Sequence, residues 1–370
     1  MPLPVYAIGD WVQDIVLPSV GGKIVKLSDT VGVPAVLLFF GSDATQASAA
    51  TAACSALAAE HAAMAALNAV VLAITTAAAG TDTLDGTPPP DESTKSPAGN
   101  DLPFPMLIDA DQQVSQRYGA ARLRAVLVNA NARVTRYYDN LEPGPLAAAL
   151  LADLKKMVEL EPARHMVQQA PILLIPDVVP PEFCAKLINT WEKEGNQDSG
   201  FMVNDGDKTV GKFDYGSKIR RDHFIKLGSD IDKEARQWVG RHILPEIGKA
   251  FNYEVTRLED MKIACYDANR GGYFRPHRDN TTSATAHRRF AVSILLNDDY
   301  GGGYLRFPEY GPHLYRPSAG GAAVFGCSLL HEATDVTAGR RFVLLTFLYG
   351  DKEAKMREEY AKRTGGGYRA

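Results

Sequence analysis

Three side chains that commonly ligate metals are spaced so that they could surround one ion. His277 and Asp279 lie two positions apart, and His331 follows 52 residues after Asp279. Residues two apart in an extended chain point to the same side, so the first two could face a common point. Two imidazoles and one carboxylate on one face of an octahedron leave three positions open, an arrangement that suits non-haem Fe(II). Those positions could take a chelating co-substrate and O2.

A basic side chain completes this set. Arg341 lies ten residues past His331, and strand alternation predicts that it faces the same interior. A fixed guanidinium can hold the far carboxylate of 2-oxoglutarate through two parallel hydrogen bonds. A His-x-Asp pair alone indicates little, but the four side chains together predict an Fe(II)- and 2-oxoglutarate-dependent dioxygenase.

The second half of the chain contains the elements that must position these residues. A helix over about residues 178–194 carries apolar residues at a spacing of four, and another over about 231–251 is expected to bend at Pro245. Short strands bounded by glycine follow, at residues 261–266, 290–296, 304–307, 322–325 and 342–347. Helices followed by many short strands indicate a jelly roll with supporting helices.

This half also resembles a known family, the prolyl 4-hydroxylase-like oxygenases of the 2-oxoglutarate/Fe(II) superfamily, over about residues 170–350. Residues 175–188 resemble its opening strand and helix, and residues 266–279 its spaced tyrosine, glycine, aromatic residue, histidine and aspartate. Residues 292–308 resemble its double-glycine segment, and residues 320–350 the block with the distal histidine and the basic anchor.

The resemblance implies a double-stranded β-helix over residues 171–350. It implies iron ligands at His277, Asp279 and His331, and a 2-oxoglutarate anchor at Arg341, where the family often has lysine. It further implies that Tyr266 donates its hydroxyl to a co-substrate carboxylate, with a tyrosine that only packs in the barrel wall as the alternative. The implied reaction is hydroxylation with release of succinate and CO2, and the implied reductant for oxidised iron is ascorbate.

The first half has an α/β rhythm. Strands are predicted at residues 35–40, 70–74, 104–109, 123–129 and 133–138, helices at 44–67 and 146–158, and a long loop at 77–103. This order predicts a thioredoxin-like domain over residues 1–160, joined by a linker at 161–170.

Residues 5–158 resemble the peroxiredoxins, through Gly9-Asp10, Phe39-Phe40 and the segments 104–109 and 116–119. The family's motif has proline, then threonine, then the peroxidatic cysteine. Here Thr45 is kept, whereas Gly41 replaces the proline and Ser48 replaces the cysteine. Serine has no thiolate to attack a peroxide, so we expect a domain without peroxidase activity, and Arg124, which matches the peroxide-polarising arginine, has no sulfur to assist.

Composition excludes several classes of protein. The net charge of −4 and the lack of a basic block argue against nucleic-acid binding. The chain lacks a long apolar run and a recognisable signal peptide, so we expect no membrane span. Four well-separated cysteines indicate buried thiols of a cytoplasmic protein. In place of peroxidase activity, the first domain could bind a partner, a substrate or another copy of itself. Peroxiredoxin-like folds often dimerise, so a homodimer through this domain is an expectation.

Three further segments have simple interpretations. The charge-rich residues 351–370 are expected to form a solvated helical tail. Arg288 and Arg289 could reach an acidic substrate, but the favoured interpretation is that they are ordinary strand-edge charges. The Gly- and Asp-rich residues 204–217 are either a solvated loop or a substrate lid.

Three classes of function remain open. The intact set of four side chains favours an oxygenase that hydroxylates a small molecule or a peptidyl side chain. A thiol-dependent redox enzyme would depend on Cys54 as a relocated thiol. A non-catalytic sensor of iron or 2-oxoglutarate would keep the ligands without turnover.

Overall fold

The computed structural model describes residues 5–41, 44–76, 102–140, 142–158, 165, 167–206 and 208–364. The chain forms two compact units, residues 1–164 and 165–370. Most of the predicted loop at 77–103, and residues 161–164 and 166 of the predicted linker, lie outside the described residues.

The described part of the first unit contains seven strands and three α-helices. They are β1 (Val16–Pro18), β2 (Ile24–Lys26), β3 (Ala35–Phe40), α1 (Ala44–Ala66), β4 (Val70–Thr75), β5 (Met106–Ile108), α2 (Gln113–Arg117), β6 (Arg124–Val128), β7 (Val134–Asp139) and α3 (Pro143–Val158).

Five of these strands form one sheet in the order β5-β4-β3-β6-β7. β3, β4 and β5 are parallel, whereas β6 and β7 run antiparallel to their neighbours. β3 is buried on both faces: Leu38 packs with Leu57 and Leu150 of the helices, and Leu37 packs with Tyr118 on the other side. This two-sided burial explains why β3 is wholly apolar, and it confirms the predicted thioredoxin-like layers.

The described part of the second unit is richer in strands. Its strands are β8 (Ile172–Ile175), β9 (Gln197–Asp198), β10 (Phe201–Asp205), β11 (Lys208–Lys212), β12 (Lys218–Ile219), β13 (Arg221–Phe224), β14 (Arg257–Leu258), β15 (Lys262–Asp267), β16 (Tyr273–His277), β17 (Phe290–Leu295), β18 (Gly301–Gly302), β19 (Leu305–Arg306), β20 (Leu314–Tyr315), β21 (Ala322–Gly326), β22 (His331–Ala333), β23 (Val336–Ala338) and β24 (Arg340–Tyr349). Its helices are α4 (Pro181–Lys193), α5 (Asp230–His242), α6 (Leu244–Phe251) and α7 (Asp351–Thr364).

Two large sheets form the walls of this unit. One has the order β8-β21-β17-β24-β15-β13-β9, with β14 also paired to β24, and the other has the order β12-β16-β22-β19-β20. Alternation along β24 divides the core. Phe342 and Leu344 pack with α4, α5 and α6, whereas Val343 packs with Ala333 of the smaller sheet. The predicted jelly roll with supporting helices is therefore confirmed.

Two predictions about helices are corrected. The helix predicted over 231–251 is two helices that meet at Ile243, because Pro245 lies in the first turn of α6 and has no N–H to continue α5. The tail does form a helix, but α7 is not simply solvated. Glu353 is buried and accepts a hydrogen bond from the Tyr253 hydroxyl at 2.5 Å, and the Tyr360 hydroxyl accepts one from the Thr209 amide.

None of the described helices has the length and apolar character needed to cross a bilayer.

Candidate active site

The two histidines and the aspartate predicted from their spacing come together on the smaller sheet. His277 ends β16 and His331 begins β22, and the two residues are direct partners in the antiparallel register. Asp279 lies just beyond β16, where its amide donates to the Cys327 carbonyl at 2.9 Å. Asp279 Oδ1 is 3.6 Å from His277 Nε2, and its Oδ2 is 3.4 Å from His331 Nε2. One ligand atom from each residue lies within 4.8 Å of the others.

Backbone carbonyls orient both imidazoles. His277 Nδ1 lies 2.8 Å from the Arg275 carbonyl, and His331 Nδ1 lies 3.0 Å from the Leu329 carbonyl. A carbonyl oxygen only accepts, so each Nδ1 carries the hydrogen and donates it. This leaves the Nε2 lone pair of each ring free to face Asp279, as metal-binding histidines require.

Burial sets the charge states of these groups. Burial lowers the pKa of His331 to about 4 although Asp279 opposes the shift, so the ring is neutral near pH 7. Burial alone would raise the pKa of Asp279, but His331 and His277 outweigh it and hold the pKa below its ordinary value. A neutral imidazole and an ionised carboxylate are the forms that ligate a metal.

Aromatic rings pack against both imidazoles. Phe274 stacks on His277 with ring centroids 3.4 Å apart, and Phe325 meets His331 edge to face at 4.6 Å. These contacts restrict the orientations of both imidazole rings.

A cavity of about 780 Å3 lies between the two sheets, and His277, Asp279, His331, Tyr266 and Arg341 all line it. Arg341 on β24 is directly opposite Tyr266 on β15 in the strand register, and its guanidinium carbon lies 5.0 Å from the Tyr266 ring centroid. Arg341 is only 4% exposed, and its Nε has no hydrogen-bond partner among the described residues. The Tyr266 hydroxyl accepts a 3.3 Å hydrogen bond from Arg220.

The donor set fits Fe(II). Ligand atoms at right angles around an ion with bonds of ~2.1 Å lie about 3 Å apart, close to the 3.4 and 3.6 Å observed here. Three ligands on one side of the cavity leave the opposite side open. The unpartnered Nε of Arg341 supplies a cationic donor in that cavity, which fits the distal carboxylate of a 2-oxo acid.

The pattern of the sequence did not predict how several charged residues that line or back this cavity are paired. Arg288 is not a strand-edge charge: it is buried and donates to Glu259 at 2.8 and 2.9 Å. Arg220 donates twice to buried Asp222 at 2.7 Å. Lys218 and Lys262 also line the cavity. Alternation along β15 could have predicted the position of Lys262, because this residue lies on the same side of the strand as the inward-facing Tyr266.

The hairpin of β10 and β11 lies over one side of the cavity. Phe201, Met202 and Gly211 of this hairpin are among the lining residues, and Asn204 and Thr209 accept hydrogen bonds from the amides of Ser283 and Ala284. The described part of the segment predicted as loop or lid is thus largely an ordered hairpin.

Comparisons with known proteins agree with this architecture. Residues 8–138 match the model of the AhpC/TSA family, and residues 261–349 match that of the 2OG-Fe(II) oxygenase superfamily. The chain joins an AhpC/TSA domain to a 2OG-Fe(II) oxygenase domain. The match to the oxygenase domain, together with the match to a PKHD-type hydroxylase, supports the classification of this protein as a 2-oxoglutarate-dependent dioxygenase.

Individual proteins match one domain each. A PKHD-type hydroxylase of Cupriavidus metallidurans is 27% identical over 186 residues, 46% of this chain and 75% of that protein. A Pseudomonas putida prolyl-4-hydroxylase structure is 16% identical, covers 49% of this chain and 94% of its own, and has a TM-score of 0.37. A Xanthomonas campestris peroxiredoxin Q structure is 15% identical, covers 39% and 92%, and has a TM-score of 0.32.

The AhpC/TSA domain has serine at position 48, where the peroxiredoxin motif has its peroxidatic cysteine. Ser48 is an exposed residue of α1. Cys54 is 2% exposed, and burial raises the pKa of its thiol to about 11. Arg124 donates to Asp139 at 2.6 and 3.0 Å. The side chain of Thr45 lies outside the described residues.

Proposed function

We propose that this protein is an Fe(II)- and 2-oxoglutarate-dependent hydroxylase that acts on a small molecule or a peptidyl side chain and releases succinate and CO2. The observation that carries the proposal is the convergence of His277, Asp279 and His331 within 4.8 Å on the wall of a cavity that also holds Arg341.

In this proposal His277, Asp279 and His331 hold the iron. The Arg275 and Leu329 carbonyls support the assignment, because they keep the Nε2 lone pairs directed toward Asp279. Such outer contacts fix the tautomer and raise the basicity of the ligand.

Arg341 and Tyr266 would bind 2-oxoglutarate. A guanidinium that is buried and has an unpartnered Nε is suited to a carboxylate, because a desolvated charge-assisted pair is stronger than an exposed one. The Tyr266 hydroxyl already accepts from Arg220, so its own hydrogen is free to donate to the same carboxylate.

When bound, Fe(II) with 2-oxoglutarate and O2 supplies the oxidising chemistry for C–H hydroxylation, with 2-oxoglutarate leaving as succinate and CO2. The chain itself binds and orients the reactants. Its two sheets and the β10–β11 hairpin surround the cavity, which limits access of water to the reacting groups.

The test is formation of succinate from 2-oxoglutarate by the purified full chain with Fe(II), O2 and ascorbate. We expect succinate from the wild type, none above background from Asp279→Ala, and wild-type yield from Asp299→Ala, which removes an exposed carboxylate. Binding of metal and 2-oxoglutarate without succinate would overturn the proposal in favour of a sensor.

The first domain differs from an active peroxiredoxin at its reactive position. With Ser48 in place of a thiol and Cys54 buried, we propose that it lacks peroxidase activity and mediates a homodimer, which sedimentation of the full chain tests.

All four cysteines are buried free thiols, which supports a cytoplasmic location. Ascorbate is proposed as the reductant, tested by its omission from repeated turnovers.

A further inference from the structure

Lys218 is a buried cation that the proposed chemistry does not use. It lies on β12, opposite Phe274 of β16 in the strand register, and only 5% of it is exposed. Its Nζ donates to the Ser199 hydroxyl at 2.7 Å and to the Gly200 carbonyl at 2.6 Å, and lies 4.8 Å from the Phe274 ring centroid. Each of these direct partners is neutral, and the Ser199 hydroxyl in turn donates to the buried Asp222 carboxylate at 2.7 Å.

The other Lys and Arg side chains that line the cavity have a carboxylate neighbour or an assigned role, including Arg278, which pairs with Glu309 at 2.6 Å. Arg220 pairs with Asp222 at 2.7 Å and Arg288 with Glu259 at 2.8 Å, and Lys262 lies 3.9 Å from Asp222. Arg341 has the role of 2-oxoglutarate anchor in the proposed function. Among the described residues, no carboxylate forms an ion pair with Lys218, so this ammonium remains for another ligand.

A buried ammonium with only neutral partners is in an unfavourable state. Burial, and then the nearby Arg220, lower the pKa of Lys218 well below its ordinary value, and the more distant carboxylates of Asp222 and Asp279 oppose this shift without cancelling it. Removing an isolated charge from water is strongly unfavourable unless an opposite charge meets it. An ammonium has three N–H donors, and the hydroxyl of Ser199 and the carbonyl of Gly200 take two. An oxyanion in the cavity would satisfy the third and offset the lost hydration.

Lys218 lies near the proposed iron ligands. Phe274 contacts both Lys218 and His277, since its ring stacks on the imidazole at 3.4 Å. One aromatic ring therefore separates the ammonium from a proposed iron ligand. Phe201, Met202 and Phe274 all line the cavity, with the Phe201 and Phe274 ring centroids 6.3 Å apart, and they offer an apolar surface to the body of a substrate.

We propose that Lys218 binds an oxyanion of the substrate, a carboxylate or a phosphate, and so selects anionic molecules whose apolar part reaches the reacting centre. The inference rests on the proposed function, because that function assigns Arg341 to 2-oxoglutarate. Lys218 is a specificity-determining residue in this assignment, and takes no part in the oxidation itself.

The test uses the full chain with Mn(II) and N-oxalylglycine, so that the metal and 2-oxoglutarate positions are filled. The probes are benzoate and benzamide, which share a shape and differ in charge. Broadening of their proton NMR signals by Mn(II) reports binding inside the cavity. We expect benzoate to bind at least about tenfold more tightly than benzamide, a difference of about 1.4 kcal/mol.

Three variants assign this preference to one side chain. Lys218→Met keeps an apolar stem against Phe274 and is expected to bind both probes equally. Lys218→Arg keeps the charge and is expected to retain the preference, which shows that loss in the methionine variant is not loss of fold. Lys226→Met, at an exposed lysine, is the matched control and is expected to behave as the wild type.

Equal binding of the two probes by the wild type, or a benzoate preference that survives Lys218→Met, would overturn the inference. Phenyl phosphate is compared with benzoate to distinguish the two oxyanions. Tighter Lys218-dependent binding of either probe supports the proposal and shows whether Lys218 favours a phosphate or a carboxylate. Failure of the proposed function has a separate signature. It is absence of succinate formation in samples that still show the Lys218-dependent preference.

Discussion

Gly303 lies directly against the side chain of Arg341. A Cβ atom at position 303 would be 2.8 Å from Arg341 Cδ and 3.0 Å from Val336 Cγ2. The residue also has φ +63°, which an L side chain rarely adopts. Glycine at this position therefore leaves the space through which Arg341 reaches the cavity.

Replacement of Gly303 by alanine should move Arg341 and weaken binding of 2-oxoglutarate. Overpacking of a buried contact costs about 1–3 kcal/mol, so the KM for 2-oxoglutarate is expected to rise roughly tenfold or more. Steady-state succinate formation measures it. Gly228→Ala is the control, since Gly228 also has a positive φ but nothing within 4 Å of its Cβ position. An equal rise in KM for both variants would contradict the contact argument.

Replacement of Phe274 by leucine should weaken metal binding. The change removes the ring that stacks on His277 at 3.4 Å, and an aromatic pair contributes about 0.5–1.5 kcal/mol. We expect the affinity for Co(II), followed by its visible absorption, to fall roughly three- to tenfold. Phe213→Leu, at an exposed aromatic residue, should keep the wild-type affinity. Unchanged binding by the Phe274 variant would mean that the ring does not position His277.

Glu259 should make stability depend on pH in acid. Burial opposes its ionisation, but Arg288 and His287 override burial and lower its pKa to about 2 from 4.5. A carboxylate with a depressed folded-state pKa stabilises the protein above its unfolded pKa, and the contribution is lost as pH falls through the folded one. The free energy of unfolding should thus lose about 3 kcal/mol between pH 4.5 and 2.

Urea unfolding of the metal-free chain measures this loss. Glu259→Gln should be less stable than the wild type near pH 7, and the difference should shrink as Glu259 becomes protonated. Glu234→Gln removes one partner of an exposed ion pair with Lys186 and should change stability by at most about 1 kcal/mol at any pH. A gap between wild type and Glu259→Gln that stays constant in acid would contradict the assignment.

Cys54 should be chemically inert in the folded chain. Its thiol is buried, and burial raises its pKa to about 11, so almost no thiolate exists near pH 7. We expect no labelling of Cys54 by a disulfide reagent until the protein is unfolded, and peroxide consumption at the background rate in both wild type and Cys54→Ala. Rapid labelling of Cys54, read by mass spectrometry, would reopen the thiol-dependent alternative.

Local patterns in the sequence predicted individual strands and the orientation of two of the proposed metal ligands. The apolar run of β3 predicted a strand buried on both faces, since apolar residues on both sides of a strand need two packed layers. The spacing of His277 and Asp279 predicted side chains on a common side, because alternation depends only on neighbouring backbone geometry. These properties are set by residues close in the chain.

Only the tertiary structure determined which residues from distant segments of the chain contact one another. The pairing of Arg288 with Glu259, the hydrogen bond of Lys218 to Ser199 and the contact of Gly303 with Arg341 each join segments separated in the chain. Spacing and composition specify which side of a strand a residue occupies, but the partner it meets depends on how the two sheets pack and register. The sequence by itself therefore determined the ligand types and the architecture, and only the packed barrel determined which charges around the cavity are neutralised.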